Sequence, residues 1–123
     1  MNTVKKLMIV DDEETLTFSL YQTFIMAKQD YEVITAASGE EAAEKLAGSN
    51  FDLVITDISM PGMTGLELLA QIRQKYPDTA VIVMTAYGSD DKKEEALRIG
   101  AQYYIEKPFE IKEIKKLVMD ILH

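Results

Sequence analysis

The chain has 123 residues, 47% of them hydrophobic and 28% charged, a composition typical of one globular domain. It contains no cysteine, which excludes disulfides, thiol nucleophiles and cysteine-based metal sites and fits a reducing cytoplasm, where we expect the protein. Thirteen basic and 21 acidic side chains give a formal net charge of −8, which argues against direct nucleic-acid binding by this chain.

Two further classes are disfavoured by what the sequence lacks. The single histidine is His123, so catalytic triads with a histidine base and histidine-rich metal sites are excluded. No apolar run approaches the roughly 20 residues that a membrane span needs, and we expect no membrane partner.

Short apolar runs alternate with segments of helical spacing along the chain. The five predicted strands are residues 7–10, 31–36, 53–56, 80–84 and 103–105. The predicted helices are residues 13–28, 38–48, 66–76 and 90–100, and a last one with a buried stripe of Ile111, Ile114, Val118 and Ile121. This order predicts a doubly wound α/β domain, a five-stranded parallel sheet with five helices on its two faces. Because no repeat or linker interrupts it, we expect one domain over residues 1–123.

Polar residues follow four of the predicted strands. Asp11 and Asp12 come after the first strand, Asp57 after the third, Thr85 after the fourth and Lys107 after the fifth. In open parallel sheets these strand ends meet at one edge, where ligands bind. A single carboxylate at a strand end is usually a solvated side chain or a helix cap, and Asp12 could be the N-cap of the first helix. Together, three close carboxylates repel by about 4 kcal/mol per pair at an effective dielectric constant near 20, which predicts a nearby cation or a bound proton.

The residue types at this edge favour phosphoryl chemistry. Oxygen ligands without histidine or cysteine favour Mg²⁺ over zinc or copper. A carboxylate can act as a nucleophile and form an aspartyl phosphate. Lys107 and the Thr85 hydroxyl would then stabilise the phosphoryl oxygens.

The sequence resembles the receiver domain of response regulators in two-component and phosphorelay signalling. The matching segments are Asp11-Asp12, LVITDISMPGMTG at 53–65, MTAYG at 84–88 and KPF at 107–109. An acid pair or a Lys-Pro dipeptide alone is a weak signal, but the four segments in this order are specific and cover essentially the whole chain. The resemblance implies the flavodoxin-like strand order 2-1-3-4-5.

The resemblance also implies a set of metal-binding residues. Asp57 would be the phosphorylated residue and a ligand of Mg²⁺. Asp12 would bind the metal directly and Asp11 mostly through water. The backbone carbonyl of Ser59 would complete the protein ligands.

Three further residues receive roles by resemblance. Lys107 would pair with a phosphate oxygen, aimed by a cis bond to Pro108. Thr85 would hydrogen-bond another oxygen once the phosphoryl group arrives. Tyr104 matches an aromatic switch position that turns inward when the threonine moves. Its alternative is an ordinary aromatic residue at the end of the sheet.

The implied function is to accept a phosphoryl group on Asp57 from a phosphohistidine of a sensor histidine kinase or a histidine phosphotransfer domain. Small acyl phosphates should also serve as donors. The chain would catalyse only its own phosphorylation and slow dephosphorylation. The output would be a shift in the fourth helix, fifth strand and last helix, read by an output domain, an effector protein or a second copy in a homodimer.

Two surface patterns have open interpretations. The lysines of the last two helices form either solvated faces or a partner surface: Lys92, Lys93, Lys112, Lys115 and Lys116. On the first helix, Phe18, Tyr21 and Ile25 form a second apolar stripe away from the core. We interpret it as a docking or dimer surface, with a broadly buried helix or scattered surface residues as the alternative.

Other functional classes fit less well. A haloacid-dehalogenase-type phosphatase needs a second acid two residues after its nucleophile, where this chain has Ser59. A flavodoxin-like carrier needs a phosphate loop rich in Ser, Thr and Gly, but residues 11–14 are all acidic. A receiver-fold interaction module that works without phosphorylation is the main alternative, and the intact set of site residues argues against it.

Overall fold

A computed structural model describes residues 4–123 and shows a parallel sheet between two layers of helices. The strands are β1 (Lys5–Val10), β2 (Tyr31–Ala36), β3 (Leu53–Asp57), β4 (Ala80–Ala86) and β5 (Tyr103–Lys107). The helices are α1 (Glu14–Ile25), α2 (Gly39–Ala47), α3 (Gly65–Lys75), α4 (Asp90–Ile99) and α5 (Ile111–Leu122). Across the described residues, every helix is too short or too polar to cross a membrane.

The five strands lie in the order β2-β1-β3-β4-β5, and all neighbouring pairs are parallel. The predicted fold class and strand order are therefore confirmed. In the central pairs, Val10 lies beside Thr56, and Thr56 lies beside Val83. This register brings the carboxyl ends of β1, β3 and β4 to the same edge of the sheet, with β4 extending furthest.

Side chains alternate between the two faces of the sheet and so divide the core in two. On one face, Val10, Val54 and Val83 pack against α2, α3 and α4. On the other, Ile9 and Ile55 pack against α1 and α5. Burial on both faces explains why the strand sequences are continuous apolar runs.

The first helix is shorter than predicted. It ends at Ile25 rather than near residue 28, and the N–H of Met26 caps it by donating to the Gln22 carbonyl. Phe24 is the last residue of α1 that is buried in the core, whereas Ile25 and Met26 are exposed. Because helix stability in proteins comes mostly from packing, little favours continuation beyond this point.

Three strands extend further than predicted and include site residues. Asp57 is the last residue of β3, Thr85 lies within β4, and Lys107 is the last residue of β5. The prediction that these residues follow their strands was wrong, because the strands end one or two residues later than predicted. The parallel ladder continues past the apolar runs and places Thr85 beside Glu106.

Candidate functional site

The three predicted acids meet at the carboxyl end of the sheet. Asp11, Asp12 and Asp57 form the acid cluster, in which one carboxylate oxygen from each residue lies within 4.8 Å of the others. Asp11 and Asp57 are 2% and 8% exposed, and Asp12 is exposed. The adjacency of β1 and β3 produces this convergence because Asp11 follows β1 directly and Asp57 ends β3.

Asp11 is the most firmly held member of the acid cluster. Its Oδ1 accepts a hydrogen bond from the Glu13 backbone N–H at 2.8 Å, and its Oδ2 lies 3.0 Å from the Lys107 ammonium. The N-cap position of α1 is Glu13, so the alternative that made Asp12 the cap is wrong. The Asp11 side chain accepts from the backbone N–H at the start of α1, and the Asp12 carboxylate lies with Asp11 and Asp57 in the acid cluster.

Lys107 is the cation that the sequence led us to expect near the acids. Its Nζ lies 3.0 Å from Asp11 Oδ2 and 3.5 Å from Asp57 Oδ2. Burial acts to lower the pKa of Lys107, but the hydrogen bond to Asp11 and the charges of Asp57 and Asp11 outweigh it and raise that pKa. The peptide bond from Lys107 to Pro108 is cis, as the resemblance implies.

The environment of Asp57 disfavours the ionised form of its carboxyl group. Burial is the main factor raising the pKa of its carboxyl, the charge of Asp11 raises it further, and the charge of Lys107 opposes both. The Ser59 backbone N–H donates to Asp57 Oδ1 at 3.4 Å, a weak contribution in the same direction as Lys107. One lysine against three carboxylates leaves the site net negative and suited to a divalent cation.

Thr85 has a buried hydroxyl without a partner. The residue is 1% exposed, and its Oγ1 makes no hydrogen bond within the described part of the chain. Leaving such a group unsatisfied costs about 1–3 kcal/mol. Thr85 lies one position past Met84, the register partner of Asp57. Its hydroxyl is therefore an unsatisfied hydrogen-bonding group near the carboxyl end of the sheet.

Tyr104 is 36% exposed, and the Nζ of Lys93 lies 4.6 Å from its ring centroid. Lys93 also pairs with Glu106 at 3.0 Å and with Asp90 at 3.5 Å. Its side chain is only 20% exposed, so the interpretation of Lys93 as part of a solvated face was wrong. The other four lysines of the last two helices are exposed, as that interpretation expects.

The second stripe of α1 divides into exposed and packed residues. Phe18 and Ile25 are 59% and 47% exposed, whereas Tyr21 is half-buried against the core. Phe18 and Tyr21 line an open groove of about 340 Å³ that reaches Asp11. An exposed aromatic ring beside the acid cluster fits a docking surface, which stays a prediction.

Two structural features of the site could not be read from the sequence. Gly65 precedes the predicted third helix by one residue but is the first residue of α3, and a Cβ there would lie 2.1 Å from the Asp57 carbonyl oxygen. The sequence shows the glycine but not this close approach. The Lys93–Glu106 pair had no signal beyond two opposite charges 13 residues apart.

Comparison with known proteins places this site in a family. The model of the response regulator receiver domain matches residues 7–119. The chain is 42% identical over 113 residues to the response regulator protein FleR of Pseudomonas aeruginosa, covering 92% of this chain but 24% of FleR. It is 36% identical over 118 residues to sporulation initiation phosphotransferase F of Bacillus subtilis, covering 96% of this chain and 94% of that protein.

A solved structure agrees with both matches. Response regulator protein TrrA of Thermotoga maritima, in a complex with Mg²⁺-BeF, superposes with a TM-score of 0.85 at 38% identity, covering 97% of this chain and all of that one. The fold, the acid cluster and these likenesses agree, and the chain belongs to the response regulator receiver domains of two-component systems.

Proposed function

We propose that the chain accepts a phosphoryl group on Asp57 and passes on the signal by a change of conformation. The observation that carries this proposal is the arrangement around Asp57. Two further carboxylates lie within 4.8 Å, a lysine lies 3.5 Å away, and the buried Thr85 hydroxyl has no partner among the described residues. A carboxylate nucleophile needs such cationic and hydrogen-bonding support for the transferred oxygens.

The donor set at the acid cluster fits Mg²⁺. Carboxylate and carbonyl oxygens are its preferred ligands, and it typically takes one or two carboxylates and keeps water for the rest. The proposed protein ligands are Asp11, Asp12, Asp57 and the carbonyl of Ser59. When bound, the ion would neutralise charge on the phosphoryl oxygens.

The residues of the chain would perform the transfer by positioning and electrostatics. An Asp57 carboxylate oxygen attacks the phosphorus of a phosphohistidine while the P–N bond breaks and its electron pair stays on the imidazole. Lys107 keeps Asp57 anionic and then pairs with a phosphoryl oxygen. The Thr85 hydroxyl donates to another oxygen and thereby gains the partner that it lacks. Hydrolysis by water later restores the Asp57 carboxylate.

The proposed partners follow from the two exposed regions. A sensor histidine kinase or a histidine phosphotransfer domain would dock at α1, where Phe18 is exposed beside the acid cluster. The surface of α4, β5 and α5 would carry the output to an effector, an output domain or a second copy. The similarity to sporulation initiation phosphotransferase F supports a role in phosphoryl transfer. We place this function in the cytoplasm and propose no activity on other substrates.

The test is the intact mass of the protein after incubation with acetyl phosphate, with and without Mg²⁺. We expect one added phosphoryl group in the wild type with Mg²⁺ and none after chelation. Asp57→Asn is the site variant, and Asp78→Asn, at an exposed position before β4, is the matched control. A folded wild type that gains no phosphoryl group would contradict the proposal and favour an interaction module that works without phosphorylation.

A further inference from the structure

Lys93 connects the start of α4 to β5 through three contacts. Its Nζ lies 3.0 Å from Glu106 Oε1 and 3.5 Å from Asp90 Oδ1, and 4.6 Å from the centroid of the Tyr104 ring. Although it lies in a helix rich in charged residues, its side chain is only 20% exposed. One ammonium group therefore contacts α4 and two residues of β5.

The strand register places these contacts on the Thr85 side of the sheet. Thr85 lies beside Glu106, and Val83 lies beside Tyr104. Residues two apart in a strand point to the same face, so Tyr104, Glu106 and Thr85 share a face. It is the face where Val83 packs with Ala96 of α4. Lys93 thus crosses from α4 to the residues that flank the unpaired Thr85 hydroxyl.

We propose that Lys93 is a positioning residue that holds Tyr104 outward and thereby weakens the binding of the phosphoryl group at Asp57. This inference rests on the proposed function and on the switch role that the resemblance implies for Tyr104, which turns inward when Thr85 moves to the phosphoryl oxygen. Glu106 and Asp90 fix the ammonium in place. Inward rotation would remove the Tyr104 ring from that ammonium and lose the cation–π attraction.

The effect on the site follows from linkage. A contact made only in the resting arrangement stabilises that arrangement, so the phosphoryl group must work against it. Removing the contact therefore favours the inward arrangement. Because linkage is reciprocal, phosphoryl binding becomes tighter by the same factor by which the contact had stabilised the resting arrangement. A cation–π contact at a partly exposed site corresponds to about a two- to fivefold change in an equilibrium constant.

The test compares Lys93→Met with Lys92→Met, a matched control at the preceding, exposed position of the same helix. Beryllofluoride, a phosphoryl analogue, is titrated with Mg²⁺ and followed by the backbone amide signals. Lys93→Met should bind it about two- to fivefold more tightly than the wild type, while Lys92→Met stays unchanged. Lys93→Arg keeps a cation over the ring and should restore the wild-type affinity.

Two results would overturn the proposal. One is an unchanged or weaker beryllofluoride affinity in Lys93→Met, which would give Lys93 a purely structural role. The other is an equal gain in Lys92→Met, which would indicate a general effect of charge. Thermal unfolding of each variant confirms that a folded protein is being compared.

A second readout separates this proposal from the proposed function. If the wild type binds no beryllofluoride, the proposed function fails. The aromatic signals of Tyr104, recorded without any analogue, then test the positioning role alone. They should shift in Lys93→Met and stay in place in Lys92→Met. Unchanged Tyr104 signals in Lys93→Met would overturn the role of Lys93.

Discussion

The ammonium of Lys107 lies 3.0 Å from Asp11 Oδ2, closer than the 3.5 Å that separates it from Asp57 Oδ2. The lysine therefore makes its shorter contact with Asp11, a proposed metal ligand, rather than with Asp57, the proposed phosphorylated residue. Asp11 is almost fully buried and already accepts the Glu13 N–H, so it is a fixed anchor for this contact. A cation that enters the acid cluster must compete with Lys107 for the charge of the same carboxylates.

Replacing Lys107 by methionine should separate metal binding from phosphoryl transfer. We expect the Mg²⁺ affinity to rise because the ammonium group of Lys107 no longer repels the ion or competes with it for the carboxylates. Each ~1.4 kcal/mol removed in this way raises the affinity about tenfold. The phosphorylation rate should fall because the cation for the phosphoryl oxygen is gone. Amide signals during a Mg²⁺ titration measure the first effect, and intact mass over time measures the second.

The control for this experiment is Lys112→Met, because the Lys112 side chain is 83% exposed and its ion pair is with the exposed Glu110. Both properties should stay at wild-type values there. A loss of Mg²⁺ affinity in Lys107→Met would contradict the competition that we describe.

Asp57→Asn should stabilise the protein at neutral pH. Burial, with a further contribution from Asp11, raises the pKa of the Asp57 carboxyl above its ordinary value. The ionised group therefore destabilises the folded state at pH values above that pKa, and this effect is lost as the pH falls through it. We therefore expect the free energy of unfolding to be higher in Asp57→Asn than in the wild type at neutral pH.

Denaturant unfolding at a series of pH values measures this gain. The difference in the free energy of unfolding between Asp57→Asn and the wild type should be larger at pH 7 than in acidic solution. Asp78→Asn should show no such dependence. An Asp57→Asn variant that is less stable than the wild type at pH 7 would contradict this prediction. It would show that the attraction of Lys107 exceeds the free-energy cost of burying the Asp57 carboxylate.

Mg²⁺ should stabilise the wild type against heat. A ligand that binds only the folded state at one hundred times its dissociation constant adds about 2.7 kcal/mol. Asp12→Asn should lose most of this gain because Asp12 is the exposed carboxylate of the acid cluster. Thermal unfolding with Mg²⁺ and with a chelator measures it. Glu44→Gln, on the exposed side of α2, is the control and should keep the full stabilisation by Mg²⁺. If it loses as much of this stabilisation as Asp12→Asn, the effect of Mg²⁺ is a non-specific effect of charge.

Gly65→Ala should destabilise the protein because α3 begins against the backbone of the site. A Cβ at Gly65 would lie 2.1 Å from the Asp57 carbonyl oxygen and 2.6 Å from the Ile58 Cα. Both neighbours are backbone atoms and cannot move aside as a side chain can. We therefore expect the free energy of unfolding to fall by about 1–3 kcal/mol. Gly48→Ala is the control, since its nearest neighbour would lie 3.8 Å away. Denaturant unfolding should show no loss there, and equal stability of the two variants would contradict the contact.

The strand ends and the acid cluster could be predicted because they follow from chain order. Buried strands appear as apolar runs, and parallel pairing sends the residues after each run to one edge. Asp11, Asp57 and Lys107 meet for that reason, although their strands extend to include two of them. The resemblance supplied the strand order, which periodicity alone leaves open.

Contacts between side chains of different elements could not be predicted in this way. Lys92 and Lys93 are equivalent in sequence, but only Lys93 reaches Glu106 and Tyr104. Which of the two lysines makes these contacts depends on the rotation of α4 about its own axis, which sets the face that it turns toward the sheet. The end of α1 was missed for a similar reason, because helical spacing continues past Phe24 while packing against the core stops there.

The most direct test of the central claim is to locate the phosphoryl group. The protein is phosphorylated with acetyl phosphate and Mg²⁺, the acyl phosphate is reduced with borohydride, and peptide mass spectrometry finds the modified residue. We predict reduction at residue 57 alone, and no modification when Mg²⁺ is removed. Modification at Asp11 or Asp12, or equal labelling without Mg²⁺, would contradict the account of this site.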